Sequence, residues 1–336
     1  MKLKLISLIS AFTLLVGACS NLSAKLNCVQ TAHTLVGNPS SQILWSKSGI
    51  AVFDDGSTQK MQGLGSIVYV AALDTGYSSG KFFAFDTNTG NMLWHQSYTP
   101  PATLFTNNDK LYVGNYDNIQ EYDSQTGEMI KEMRFPNVGL VTNIYFSDQN
   151  LYALTSSDRW LTYNLDTDVF SSSEPLLPYT PFMVENEILY LHDVEGFKAI
   201  ETKTKRVLWK RSIDDQINIH PLFINGTIVI PASTGNIYSV NQKTGDLMWN
   251  VGAHAISNIA FDQSRLYYLT MDGFLRILDM KSGQEIQKIE FSSVPFRINT
   301  PDSQITVGAY DLWMDTKNDV LIVSFGDSCQ LMAIKP

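Results

Sequence analysis

Nine residues, Asn241-Gln242-Lys243-Thr244-Gly245-Asp246-Leu247-Met248-Trp249, recur along the chain, and this recurrence restricts the fold more than any other feature. Asp86-Thr87-Asn88-Thr89-Gly90-Asn91-Met92-Leu93-Trp94 repeats the phrase, and Glu201-Thr202-Lys203-Thr204-Lys205-Arg206-Val207-Leu208-Trp209 is a near copy. Weaker versions occupy 123–131, 164–172 and 279–287. Their first residues fall about forty positions apart, and a unit of that period buries its apolar face by stacking on its neighbours.

Each copy follows two short runs of β-branched, aromatic and aliphatic residues, such as Thr227-Ile228-Val229-Ile230 and Asn236-Ile237-Tyr238-Ser239-Val240. Those runs read as strands. The polar residues after them form a turn, in which Asp or Asn bonds the backbone two residues on and Gly supplies positive φ. The turn positions are Asp86 and Gly90, Asp123 and Gly127, Asn241 and Gly245, Asp279 and Gly283. With the run before each unit, as at 217–224, the repeat has four antiparallel strands, which is a β-propeller blade. Six units are explicit, and the seventh is divided between the termini. Val320–Ser324 and Gln330–Lys335 read as inner strands with no Trp strand after them, while Ser41–Lys47 is a Trp strand with nothing before it. The expectation is an all-β, seven-bladed propeller whose N-terminal strand pairs with the last blade and closes the ring.

The Asp-x-x-x-Gly-x-x-x-Trp wording resembles the repeats of pyrroloquinoline-quinone-like (PQQ-like) propellers. The resemblance implies that Trp45, Trp94, Trp209 and Trp249 dock one blade on the next. Three units depart from it at the Trp position (Lys131, Ser172, Gln287) and two at the Gly position (Asp168, Lys205), so those blades are expected to dock less tightly. The turn at Lys205 is expected to be the more strained, because Asp tolerates a left-handed backbone better than Lys.

The N-terminus reads as a lipoprotein signal over 1–18: basic Met1–Lys4, an apolar run, then Leu15-Val16-Gly17-Ala18-Cys19. Cys19 is the expected lipidation site, the alternative being an ordinary signal cleaved near Ala24. Residues 19–30 form the tether and 31–336 the propeller domain. Cys28 precedes the closing strand and Cys329 lies in the last blade, so the two are expected to form a disulfide across the closure, against the alternative of two buried thiols.

Little in the chain points to catalysis. His33, His95, His192, His220 and His254 are scattered, with no pair at metal-ligand spacing. No Gly-x-Ser-x-Gly elbow is present, Asp54–Ser57 lacks a calcium loop's alternating oxygen ligands, and Asn225-Gly226 reads as a hairpin turn. A quinoprotein dehydrogenase would carry a vicinal Cys pair, which is lacking here. The expectation is therefore no enzyme, no cofactor and no metal. The net charge of -9 becomes -11 once Lys2 and Lys4 leave with the signal, which argues against nucleic acid as a partner.

Lipobox, acidic ring and repeats together resemble the small propeller lipoproteins of the BamB-like family, accessory to outer-membrane β-barrel assembly. The resemblance implies a monomer within a complex, lipid-anchored to the outer membrane and facing the periplasm, scaffolding an envelope protein partner. In a cell with one membrane, the same signal would place it on the outer face of the plasma membrane. Members of that family commonly have eight blades, the alternative count. The alternative function is a surface propeller binding a small ligand or glycan in its central depression, with Trp160 and Trp313 as candidate lining. Loops at 54–60 and 74–80, expected on the two faces of the ring, and the irregular stretch 291–311 are candidate contact regions.

Overall fold

The computed structural model describes residues 33–336 except 37–40, 51, 53–59, 74–79, 99–101, 148, 157–158, 176–181, 194, 214–220, 233–234, 271, 292–309 and 327. The signal, Cys19, the tether and Cys28 therefore lie outside the described residues.

The local chemistry of the fifth sheet in chain order, blade 5 (222–252), stands for the repeat. Asn225 and Gly226, at φ 51° and 78°, make the first hairpin turn between its inner strands. The Asn241 carboxamide oxygen then accepts hydrogen bonds from the Lys243 and Thr244 amides at 2.9 and 3.0 Å. The Gly245 amide donates to the Asn241 carbonyl at 2.8 Å, with Gly245 at φ 71°. Immediately after this turn the ladder slips. Leu247 pairs with Val240 and Trp249 with Ser239, so Met248 is an extra residue opposite no partner. This β-bulge turns the outer strand and aims Trp249 at the next blade. The same slip occurs ahead of Trp45, Trp94 and Trp209. Blade 3 lacks it at this point: Ser171, not Ser172, lies opposite Thr162, two positions before the turn residue Asn164.

Seven such sheets form the ring: blade 1 (61–98), blade 2 (103–134), blade 3 (141–175), blade 4 (182–211), blade 5 (222–252), blade 6 (260–291) and blade 7 (310–335 with 42–48). The protein is a seven-bladed β-propeller. Inner strands are almost wholly buried, as in Val320–Phe325, whereas outer strands such as Leu247–Gly252 alternate between exposed and half-buried. The core lies between blades rather than within them. Tyr267, Leu269 and Ile277 of blade 6, for example, share one cluster with Leu312, Leu321 and Val323 of blade 7.

Blade 7 is closed by the N-terminal strand as the sequence predicts. Gln42–Ser48 runs antiparallel to Gln330–Lys335, with Ile43 opposite Ile334 and Trp45 opposite Ala333. A further two-residue strand, Leu35–Val36, is added to the outer edge of blade 6 opposite Phe291 and Glu290. The sequence reading did not anticipate it. Ahead of it, the Gln330 side chain receives the His33 amide at 2.8 Å and donates to the His33 carbonyl at 3.2 Å. The His33 ring stacks on Phe325 at 4.5 Å. The N-terminal segment is thus fastened where blades 6 and 7 meet.

Strand order also assigns the connections to faces. The first-to-second-strand hairpins and the Asp/Asn turns lie on one face, the turn face, while second-to-third-strand loops and interblade connections lie on the other. Residues 53–59, 74–79, 176–181, 214–220 and 292–309 are outside the described residues, but the strands that bracket each stretch begin and end on that second, loop face. The expectation of loops on both faces is corrected: 54–60 and 74–80 leave from the same one, because each joins strand ends of the same parity.

Candidate functional site

The blade junctions show what the repeat residues do. Trp45, Trp94, Trp209 and Trp249 lie over Gly90, Gly127, Gly245 and Gly283 of the following blade. A Cβ at those glycines would stand 2.6, 2.6, 2.5 and 2.7 Å from the ring. The indole N–H groups donate to the carbonyls of Thr87, Ser124, Gln242 and Met280 at 2.8–3.1 Å. Glycine is needed here twice over, for its left-handed backbone and for the face of the ring.

The departures from the motif follow from the same contact. Where blade 2 has Lys131 in place of Trp, blade 3 has Asp168 in place of Gly, and the two form an ion pair that also receives the Tyr163 hydroxyl at 2.5 Å. Where blade 3 lacks Trp, blade 4 has Lys205, whose ammonium sits 5.2 Å from the Trp160 ring of blade 3. Blade 6 carries Gln287, and blade 7 has no turn for a Trp to cover because its outer strand is Gln42–Ser48 rather than a continuation of Gln330–Lys335; Arg265 reaches Asp319 across that junction at 3.0 Å. Asp168 and Lys205 adopt φ 56° and 60°, so both residues accept the turn. Each junction without the ring carries a cationic side chain instead of a gap.

The Lys131–Asp168 pair makes this clasp responsive to pH. Hydrogen bonds from Lys131 and Tyr163 hold the Asp168 carboxyl below its ordinary 3.8, and the bond to Asp168 raises Lys131 above 10.5. A lowered acid stabilises the fold above 3.8 and ceases to do so as pH falls through its folded value; a raised base stabilises below 10.5 and ceases above. Protection of the amides at the blade 2–3 boundary, taken relative to the unfolded-chain exchange rate at each pH, should therefore fall as pH drops below 3.8, and Lys131→Ala should weaken that dependence to the part carried by Tyr163. Identical pH profiles for the two proteins would show that the pair is idle.

Trp160 is a core residue, 7% exposed, while Trp313 is half-buried and packs over Gly63. Among the described residues no group of three His, Cys, Asp or Glu is placed to hold a metal ion. No helix among them is long and apolar enough to cross a membrane.

A cavity of about 390 Å³ lies away from the ring axis, between the outer parts of blades 5 and 6. Val251, Ala253, Leu278 and the Tyr268 ring give it apolar walls. Arg276 crosses it, donating to Glu285 at 2.6 Å and to Asp272 at 2.9 Å. Burial pushes the Tyr268 hydroxyl up to about 12, which keeps it protonated.

Comparison with known proteins agrees with this architecture. A sequence profile described as outer membrane protein assembly factor BamB matches residues 171–334. The outer membrane protein assembly factor BamB of Yersinia pestis is 23% identical over 278 residues, covering 71% of this chain and 67% of that one. A chain of a mitotic checkpoint complex superimposes with a TM-score of 0.67 at 10% identity, over 91% of this chain and 98% of its own. The computationally designed Ika8 protein gives 0.58 at 13% identity, over 84% and 99%. The two structures share the fold alone. The repeats, the ring and the ring-on-glycine junctions define a PQQ-like β-propeller. Among these propellers, the profile and the Yersinia relative make BamB the one this chain is similar to in sequence.

Proposed function

We propose that this chain is a non-enzymatic envelope scaffold that serves outer-membrane protein assembly, lipidated at Cys19 and held at the outer membrane facing the periplasm. The observation that carries the reading is the inequality of the two faces. Every connection longer than a tight turn departs from the loop face, and loops on a rigid ring are where propellers bind partners. The fastening of His33 and the pairing of Leu35 with Phe291 lie at that face too, so the tether would leave the ring beside those loops. The 14 residues from Cys19 to His33 reach at most about 50 Å when extended, enough to leave the ring free to turn beneath the membrane. The test is purification of the full-length protein from membranes in mild detergent, beside Cys19→Ala. Recovery of an outer-membrane β-barrel assembly protein with the wild type is expected, together with a diacylglyceryl mass on Cys19; recovery of neither sinks the proposal.

The Cys28–Cys329 disulfide belongs to the same reading. Cys329 is buried at 1% exposure and its carbonyl accepts from the Ile50 amide at 3.0 Å, beside the strand that closes the ring. A bond to Cys28 would enclose almost the whole chain and restrict the unfolded state by about 5–6 kcal/mol. Peptide mapping without reductant should recover the two cysteines linked; recovering both as thiols would dispose of the bond.

A further inference from the structure

The cavity between blades 5 and 6 exists because of two side chains. At the position two residues after the docking Trp, the other junctions carry long polar side chains that cross to the next blade. Gln96 donates to the Gly127 carbonyl at 2.8 Å, and Arg211 donates to the Gly245 carbonyl at 2.8 Å and lies 3.6 Å from Asp246. The Lys47 ammonium sits 5.8 Å from the Phe85 ring. Blade 5 has Val251 at this position. Two residues further on, Tyr98 and Ile213 are buried in their junctions, whereas blade 5 has Ala253 and the outer strand of blade 7 is followed by Gly49, so among the four junctions with a docking Trp blade 5 alone combines a small residue here with an apolar one two residues earlier. The place that a cationic or amide side chain fills elsewhere in the ring is open here.

What surrounds the opening suits the same chemistry. Its apolar walls match an aliphatic stem. Its charged groups are two carboxylates, Asp272 and Glu285, against one guanidinium, Arg276, so a net negative charge remains. Glu285 lies two residues past the turn glycine Gly283, one further than Asp246 lies past Gly245 beside Arg211. Arg276 uses one terminal nitrogen on each carboxylate, which leaves further oxygen lone pairs on both for an added donor.

We infer that this cavity is a binding site for a cation on an aliphatic stem, either a small alkylamine or the lysine or arginine side chain of a partner segment, seated where Lys47, Gln96 and Arg211 sit at the sister junctions. The inference rests on the junctions themselves and is independent of the scaffold reading, since the amine arm of the test needs no envelope partner.

The test follows the Val251 and Ala253 methyl signals by NMR as the full folded domain is titrated with the N-acetyl, C-methylamide derivatives of lysine, arginine and norleucine, and with butylamine. The lysine or arginine derivative should shift these methyls at concentrations at least about tenfold below norleucine, because the head group adds a charge-assisted bond. Butylamine matching lysine identifies a free amine as the ligand; lysine binding without butylamine identifies a side chain presented on a backbone. Val251→Arg, which supplies the sister side chain from within, should keep the melting temperature and abolish the shifts. Glu285→Gln should weaken binding about tenfold while leaving the ring intact. Equal response to norleucine and lysine, no response to any cation, or undiminished binding in Val251→Arg overturns the inference.

Discussion

A chain that starts at Val29 should melt in one cooperative transition, and one that starts at Ile50 should show none. The difference between them includes the Gln42–Ser48 strand, which supplies the whole outer edge of blade 7. Without it the backbone of Gln330–Lys335, whose side chains are buried except at Lys335, loses its ladder partner. Leu44 and Trp45 leave the cluster containing Val68, Phe85, Ile322 and Leu331, and the seal on Gly90 is lost. Because that cluster joins blade 7 to blade 1, the damage is not confined to one blade. The loss is comparable to the about 5–15 kcal/mol that stabilises an ordinary domain. Circular dichroism melts of the two chains decide the matter, and a sharp transition in the shorter one would mean the ring stands without its closing strand.

The second large effect is at the junction of blades 1 and 2. Trp94→Ala should cost about 3–5 kcal/mol, since it removes an indole packed against Tyr69 and Phe82 and bonded to the Ser124 carbonyl at 3.1 Å. Gly127→Ala should cost about 2–4 kcal/mol in the wild type, where the added methyl meets both a left-handed backbone and the ring 2.6 Å away. In the Trp94→Ala background only the backbone cost of about 1–2 kcal/mol should remain. Denaturant midpoints for the four proteins give the coupling. Strictly additive costs would mean that ring and glycine are separate requirements. Asp168→Gly is the control: Asp168 already holds the left-handed backbone with no indole over it, so its loss should be felt through Lys131 and Tyr163.

The architecture was legible because a propeller writes its blade repeatedly, so the position of Trp45 without a preceding turn, and of Gln330–Lys335 without a following Trp, was enough to join the two ends. Other features were present in the sequence but needed comparison across repeats rather than within one. Lys131 and Ser172 looked like independent defects of blades 2 and 3, and Asp168 and Lys205 like defects of blades 3 and 4. The contact runs from the Trp position of one blade to the Gly position of the next, so each pair is a single change seen at both of its ends. The same reading across repeats, at the residue two beyond the Trp, sets Val251 apart from Lys47, Gln96 and Arg211 and marks the cavity. The Leu35–Val36 strand carries no such signal. Two residues have no periodicity, and the edge they join is defined only once blade 6 exists.

The division of blade 7 between the chain's ends also sets a schedule. As the polypeptide emerges N-terminus first, Gln42–Ser48 appears long before its partner Gln330–Lys335. Six sheets can assemble while the first strand waits, and pairing across so long a separation is slow because the intervening loop must be ordered before the contact returns any free energy. A product that stops short of Gln330–Lys335 never acquires a mate for Gln42–Ser48, so the wheel cannot lock until synthesis has passed that strand.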